Sequence, residues 1–375
     1  MDIFAINLPL ALWVVWMFII GAMIGSLLNV CIARLPLEKS ILWPGSRCGN
    51  CLQPIRWYDN IPLVSYWVLR GRCRNCGARF SVRYFLIELL TGLGFAGLFY
   101  AEVVANIHDL PFFKNQAWFI RAGQIPWQGW AFFLHHAILL SLLIVCAACD
   151  LERREIPLSL TLFGTVIGLI GATLFPWPWP NDLSASLPTI DLRQPSQVDW
   201  WMADLGSIGL GLYPWPLWGP LPDWMPLGSH RAGFATGLAG ALVGTWMLRG
   251  IRWVFSRGLG REALGLGDAD LMMMAGAFLG WQPVVVAFFA GALVTLGFAI
   301  AQMVIFRENA LPFGPGLAVG TVLTWLCWRW IGPSVQPLMF NGFLLALCVG
   351  AGAAFMLITS ALFRLRRGPD VAETV

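Results

Sequence analysis

Long apolar runs constrain the fold of this chain more than any other feature. Leu8–Val30 holds 23 residues without a charge, and similar runs recur to the C-terminus. About 20 apolar residues let a helix cross the hydrocarbon core of a bilayer. Only 12% of the 375 residues are charged, about half the share in a soluble domain. The sequence therefore predicts an all-α polytopic membrane protein, embedded in a lipid bilayer.

The apolar runs indicate about eight or nine transmembrane segments. The short run after Asp268 is the one that least resembles a full crossing. The segments are Leu8–Val30, Tyr84–Val104, Trp130–Cys149, Pro157–Phe175, Ala232–Phe255, Asp270–Gly280, Val284–Phe306, Gly316–Trp330 and Phe343–Phe363.

The basic residues predict the orientation of these segments. With the N-terminus outside, 19 of the 24 Lys and Arg fall on the inner side and 5 on the outer side. Cytoplasmic loops are enriched in Lys and Arg. We therefore expect a multi-pass membrane protein, with Asp150 and Asp268 facing the cytoplasm.

The pattern of spans and loops divides the chain into five parts. The stretch 176–230 holds seven Trp and ten Pro, a density of Pro that prevents a regular spanning helix. The expected parts are a first transmembrane helix (1–31), a cytoplasmic zinc-binding loop domain (32–83), membrane helices carrying Asp150 (84–175), a Trp/Pro-rich exoplasmic insertion (176–230), and membrane helices carrying Asp268 (231–375).

Four cysteines in the first polar loop form two Cys-x-x-Cys pairs, Cys48 with Cys51 and Cys73 with Cys76. Two such pairs are typical of a structural zinc site with four thiolate ligands. The alternatives are reduced, unliganded thiols, or disulfides if the loop is exoplasmic. A closed four-thiolate site would staple a loop too small to fold alone, and would not itself be catalytic.

Two carboxylates at the ends of apolar segments are candidate catalytic groups. Asp150 ends one segment, and Asp268 follows the glycine-rich stretch Gly265-Leu-Gly267. Two close carboxylates share a proton, as in aspartic proteases. Each also has a structural explanation: Asp150 could pair with a neighbouring arginine, and Asp268 could be a helix N-cap. For Asp270 the default is a solvated acid in the first turn.

Other chemistry is weakly supported. There is no Gly-x-Ser-x-Gly or His-Glu-x-x-His motif, and the chain has only four histidines. Cys146 and Cys149 lie inside an apolar run, where Cys behaves as a small hydrophobic residue. A transporter with an intramembrane proton relay would need acids at mid-depth, and the segments are nearly free of them. We expect no nucleic-acid partner.

The ordered motifs resemble the type IV prepilin leader peptidase/N-methyltransferase family of membrane aspartic peptidases. The resemblance covers nearly the whole chain except 176–230. The matching motifs are Gly25-Ser26-Leu-Leu-Asn29-Val30, Arg34-Leu-Pro36, the four cysteines, Trp57-Tyr-Asp-Asn-Ile-Pro62, Leu69-Arg-Gly-Arg-Cys73, Ser81-Val-Arg-Tyr84, Glu88-Leu-Leu, Asp150 with Pro157, Gly265-Leu-Gly-Asp268 and Pro312-Phe-Gly-Pro315.

The resemblance implies an enzyme with two activities. It would cleave the basic leaders of prepilins and secretion pseudopilins after a Gly at the cytoplasmic face, with Asp150 and Asp268 as the catalytic pair. It would then methylate the new N-terminus with S-adenosylmethionine, although no glycine-rich nucleotide loop is visible. Candidate acidic contacts for the basic leader are Glu38, Glu88, Glu152 and Glu155.

Two departures from the family pattern bear on the site. Asp270 stands where members often carry a Lys, so that a third carboxylate either raises the apparent pKa of the pair or faces solvent. The insertion at 176–230 is also longer than expected. The alternative function is a non-enzymatic, zinc-bearing scaffold of a secretion or pilus machine, which would need the cysteines but neither aspartate.

Overall fold

A computed structural model describes residues 8–175, 214, 221–226, 228–259, 265–305 and 312–367. Regular secondary structure in this part of the chain is helical, and the two β-bridges, Arg47 with Pro54 and Arg72 with Arg79, are isolated. The all-α fold is therefore confirmed. Almost all of the expected exoplasmic insertion, 176–230, lies outside the described residues.

Twelve α-helices follow one another in the described ranges. They are α1 Leu8–Arg34, α2 Val64–Val68, α3 Arg83–Phe99, α4 Pro111–Asn115, α5 Ala117–Arg121, α6 Trp127–Arg153, α7 Leu158–Leu174, α8 His230–Leu259, α9 Leu266–Leu279, α10 Trp281–Ile305, α11 Gly314–Met339 and α12 Gly342–Arg367.

Six of the described helices are long and apolar enough to cross a membrane, namely α1, α3 with its π-helical extension to Val104, α6, α8, α10 and α12. The other expected segments form α7, α9 and α11, so each predicted run is a helix. α9 has 14 residues, a length of about 21 Å, against about 30 Å of hydrocarbon. It ends at Gly280, whose φ of 86° favours glycine.

The chain forms two compact units, which we treat separately. The first comprises residues 1–164 and 291–322, and the second comprises residues 165–290 and 323–375. Asp150 and the four cysteines belong to the first unit, and Asp268 and Asp270 belong to the second.

In the first unit, α1 and α3 approach each other so closely that two positions of the contact have no room for a side chain. A Cβ on Gly21 would lie 2.7 Å from the carbonyl oxygen of Thr91, and one on Gly25 would lie 2.7 Å from Cα of Glu88. Small residues four apart let membrane helices approach this closely. Gly25, which begins the first family motif, therefore has a packing role.

A polar cluster lies at the other end of α3, where a π-helical turn, Tyr100–Val104, extends the helix. Glu102 in this turn is fully buried. Its Oε1 lies 2.7 Å from Nδ1 of His136 and 3.5 Å from Nε2 of His108. Phe132 packs edge-on against both imidazoles. The loop predicted after Val104 contains α4 and α5, and His108 ties its start to α6.

In the second unit, α8 and α9 are antiparallel and touch backbone to backbone. A Cβ on Gly240 would collide with the backbone of Gly276, and one on Gly244 would collide with the backbone of Met272. A side chain at either glycine would therefore force the helices apart. This contact, the α8–α9 seam, fixes α9 on the surface of α8.

Candidate functional site

The four cysteines converge as predicted. Their sulfur atoms all lie within 4.8 Å of one another, with Cys48 Sγ 3.7 Å from Cys76 Sγ and Cys51 Sγ 4.0 Å from Cys73 Sγ. Sulfurs around a tetrahedral zinc, with bonds of 2.3 Å, are about 3.8 Å apart. The cluster therefore fits a zinc ion by both ligand type and spacing.

Two matching turns present these thiols. The amide of Cys48 donates to the carbonyl of Gln53, and the amide of Cys73 donates to that of Ala78. Each turn is closed by an isolated β-bridge. Gly77 has a φ of 70°, which few residues other than glycine adopt readily. Local backbone geometry thus forms each half of the site.

The thiols differ in their acidity. The backbone amides of Cys51 and then Asn50 lower the pKa of Cys48 to about 6. The amide of Gln53 lowers the pKa of Cys51, but desolvation and the three neighbouring sulfurs outweigh it and raise the value to about 11. A bound dication favours the thiolate form of every ligand. Even without a metal, the chain therefore favours the thiolate form of Cys48, although not that of Cys51.

Polar contacts hold the cysteine loop against the helices of the first unit. Oε2 of Glu88 accepts a hydrogen bond of 2.8 Å from the amide of Leu63. The guanidinium of Arg34 donates to four carbonyl groups of the loop, those of Ser40, Ile41, Pro44 and Gly45. Arg74 makes a two-point contact with Asp59 and lowers the pKa of that carboxyl. The loop is therefore held to α1 near its start and to α3 at Leu63, and the Arg74–Asp59 pair joins two parts of the loop.

A cavity of about 1040 Å³ lies between the cysteine loop and the ends of α1 and α3. Ser26, Asn29 and Glu88 line it from the helices, and Tyr66 and Asp59 line it from the loop. Asn29 donates to the carbonyl of Tyr84 at 3.0 Å. Several motifs of the family resemblance therefore line one cavity.

Asp150 lies in the last turn of α6 and is only 7% exposed. Its Oδ2 accepts a hydrogen bond of 2.8 Å from the amide of Gly314, the first residue of α11. The first amides of a helix have no partner within that helix and favour an anion. A Cβ on Gly314 would lie 2.7 Å from Oδ2. Glycine is therefore required for this approach.

The pairing of Asp150 with a neighbouring arginine, the structural alternative, is not among the hydrogen bonds or ion pairs described. Arg83 instead forms an ion pair with Glu152 and links the start of α3 to the last turn of α6. Glu152 and Glu88 are thus engaged in structural contacts. Glu38 and Glu155 are exposed.

Asp268 is the third residue of α9 and is 8% exposed. The expectation that it caps this helix is wrong. Gly265, with φ −67° and ψ 149°, occupies the N-cap position, so α9 begins at Leu266. Asp268 therefore lies inside the first turn, where the helix dipole favours a negative charge.

Asp270 is not the solvated acid that the sequence suggested. It is 7% exposed, and its Oδ1 lies 3.0 Å from Nη2 of Arg249 on α8. A carboxylate removed from water needs a partner, and the sequence did not reveal which of its many arginines supplies one. Gly314 and Arg249 are thus the functional candidates that sequence reasoning missed. Only the Pro312–Pro315 motif hinted at the first.

In the described part of the chain, six helices long and apolar enough to span a membrane, a four-thiolate cluster and two buried acids at helix ends define a polytopic membrane protein with a metal-binding loop. The model of the bacterial peptidase A24 N-terminal domain matches residues 19–102, which include the four cysteines. The model of the type IV leader peptidase family matches residues 205–300, which include Asp268. Asp150 lies between the two matched ranges.

Three curated relatives carry the name prepilin leader peptidase/N-methyltransferase. The protein of Myxococcus xanthus is 34% identical over 72% of this chain, and the match spans only 57% of that longer relative. Those of Klebsiella pneumoniae and Pectobacterium carotovorum are 32% and 30% identical, over 74% and 83% of this chain and 90% and 92% of their own lengths. No solved structure matches. The chain belongs to the type IV leader peptidase family.

Proposed function

We propose that this chain is a bifunctional enzyme of the bacterial inner membrane, which cleaves the leaders of type IV prepilins or pseudopilins after a Gly and methylates the new N-terminus. The single observation that carries the proposal is the buried carboxylate of Asp150, held by the first amide of α11. Burial removes this carboxylate from water, and a backbone amide is its hydrogen-bond partner.

The proposed catalytic pair is Asp150 and Asp268. Each is buried at an end of its helix, and the excess of basic residues predicts that both ends lie on the cytoplasmic side. One carboxylate, ionised, takes a proton from a water molecule as the water attacks the scissile carbonyl. The other, protonated, donates a hydrogen bond to the carbonyl oxygen and later gives its proton to the leaving amine.

The amide of Gly314 donates to Oδ2 of Asp150 and so fixes the orientation of this carboxylate. In the proposed pair, the roles of base and acid belong to the two residues jointly, and so does their titration.

For methyl transfer, we propose that the cavity beside the cysteine loop takes S-adenosylmethionine, which would supply the methyl group. Its volume is slightly above the upper end of the usual range of ligand sites, about 1,000 Å³, so a drug-sized ligand fits. The four cysteines would hold zinc, whose role is to fold the loop that forms one wall of the cavity.

The test of cleavage is to express Asp150→Asn and Asp268→Asn together with a prepilin. We expect both variants to insert and neither to remove the leader. The matched control is Asp109→Asn, which changes a half-buried aspartate paired with Lys114. Normal leader removal by either of the first two variants would overturn the catalytic pair and favour the scaffold alternative.

The two activities can be separated by a substrate that already lacks its leader. We expect Asp150→Asn to methylate this substrate at the wild-type rate, because the proposed methyl-transfer cavity does not include Asp150. The mass of the substrate's N-terminal peptide reports cleavage and methylation independently. Absence of methylation by the wild-type protein would reject the second activity and leave the first in place.

A further inference from the structure

Asp270 and Asp268 point in different directions from the same helix. Residues two apart on an α-helix are separated by about 200° around its axis and do not face each other. Asp270 faces α8, where Nη2 of Arg249 lies 3.0 Å from its Oδ1. The direction of Asp268 is therefore set by the rotation of α9 that lets Asp270 reach Arg249.

The ion pair is the last in a series of contacts along the α8–α9 seam. Gly240 touches Gly276, Gly244 touches the backbone of Met272, and Arg249 then reaches Asp270. The two glycine contacts set the distance between the helices. Most residues of α9 are buried, so packing on its other faces also opposes rotation about its axis. The ion pair adds a directional contact, whose geometry depends on that rotation.

The Arg249–Asp270 pair can provide this directional contact. The Asp270 side chain is 10% exposed, whereas the Arg249 side chain is 46% exposed and reaches the carboxylate from the more open side. Leaving a carboxylate buried without its partner is strongly unfavourable. Rotation of α9 away from Arg249 would have that consequence, and the pair therefore opposes rotation in either direction.

A small rotation is sufficient to matter for catalysis. The tip of a side chain lies about 5–6 Å from the axis of a helix, so a rotation of roughly 10° moves it about 1 Å. A misplacement of about 1 Å can lower a rate about 100-fold. The glycine seam would still hold α9 on α8 after such a rotation.

We propose that Arg249 is a positioning residue for Asp268, acting through its ion pair with Asp270 to fix the rotation of α9. The proposal rests on the catalytic role of Asp268 proposed above. It assigns Asp270 to structure rather than to proton transfer, and it does not require contact between Arg249 and the substrate.

The test compares Arg249→Met with Arg249→Lys and with the charge-exchanged double variant Arg249→Asp/Asp270→Arg. We expect Arg249→Met to lower the kcat of leader cleavage about 10- to 100-fold with KM changed less than about twofold. We expect Arg249→Lys and the double variant each to recover at least a third of the wild-type kcat. The matched control is Arg257→Met, which should leave the kcat of leader cleavage unchanged. Arg257 lies on the same helix, over the ring of Trp253.

Methylation of a substrate without its leader, measured on the same samples, reports whether each variant is folded. Wild-type kcat in Arg249→Met, or a change confined to KM, would overturn the proposal. If Arg249→Met does not accumulate, the double variant decides, because recovery of cleavage supports the pairing and a folded, inactive double variant rejects it.

Failure of the catalytic assignment gives a different pattern. In that case Asp268→Asn would cleave normally. A pairing of Arg249 with Asp270 would still be visible, because the loss of Tm in the double variant would differ from the sum of the losses in the two single variants. Additive losses of Tm together with normal cleavage by Arg249→Met would reject the positioning role itself.

Discussion

The backbone amide of Gly314 donates a hydrogen bond of 2.8 Å to Oδ2 of Asp150, although 164 positions of sequence separate the two residues. The contact joins the end of α6 to the beginning of α11. It holds a buried carboxylate with a group that no side-chain substitution can remove, and it gives the Pro312–Pro315 motif a physical role.

Gly314→Ala tests this contact. The added methyl group would lie within 3.1 Å of Cβ and Cγ of Asp150, and closer still to Oδ2. We expect the carboxylate to be displaced and kcat for leader cleavage to fall about 100-fold. Gly350→Ala, on an open part of α12 with nothing near its added Cβ, is the control. Equal activity of the two variants would contradict the role given to Gly314.

Loss of a cysteine should affect the metal rather than the protease pair. Purified protein should contain about one zinc ion per chain, as a four-thiolate site holds one. In Cys48→Ser we expect this content to fall several-fold and the loop to become sensitive to proteolysis. Cys348→Ser changes an exposed cysteine outside the cluster and should keep its zinc. Equal zinc contents in Cys48→Ser and Cys348→Ser would reject the four-cysteine zinc site.

The fold and the site differed in how far the sequence could predict them. Apolar length is a local property, so each predicted run became a helix. The Cys-x-x-Cys turns are also local, and spacing alone indicated that the four sulfurs converge. Arg249 and Gly314 act on residues of other helices, and no periodicity indicates which of many arginines or glycines meets a given acid. The start of α9 was misjudged because two glycines precede Asp268 and either could begin the helix.

Acid should weaken the cysteine loop through Asp59. Arg74 lowers the pKa of this carboxyl below its usual value near 3.8. The stabilising effect is therefore fully present above that value and is lost as the pH falls through the lower, folded-state pKa. We expect Asp59→Asn to lack this acid-dependent loss. The loss of loop stability is measured as the rate of proteolysis by an acid-active protease between pH 5 and pH 2. Identical pH curves for the wild type and Asp59→Asn would contradict the role of the Arg74–Asp59 pair.

Zinc release at low pH would accelerate proteolysis in both proteins, so the informative quantity is the difference between their curves. The zinc content of both proteins is therefore measured at each pH, and the curves are compared where the two contents are equal.

Glu102→Leu should be severely destabilising. The carboxylate lies between two buried imidazoles, and leaving a buried polar group without its hydrogen-bond partner costs about 1–3 kcal/mol. We expect a large fall in Tm with no direct effect on the catalytic groups. Glu155→Leu alters an exposed glutamate and is the control. Thermal unfolding in detergent provides the measurement, and equal Tm values for the two variants would argue against the cluster as a stabilising element.

The first unit is assembled from two distant stretches of chain, 1–164 and 291–322. A truncated product that stops before residue 291 would retain the cysteine loop and Asp150 but would lack the helix start that binds this carboxylate. Co-expression of two complementary fragments, divided between the stretches, could reconstitute the unit. The N-terminal fragment produced by itself would therefore contain Asp150 without its hydrogen-bond donor, the amide of Gly314.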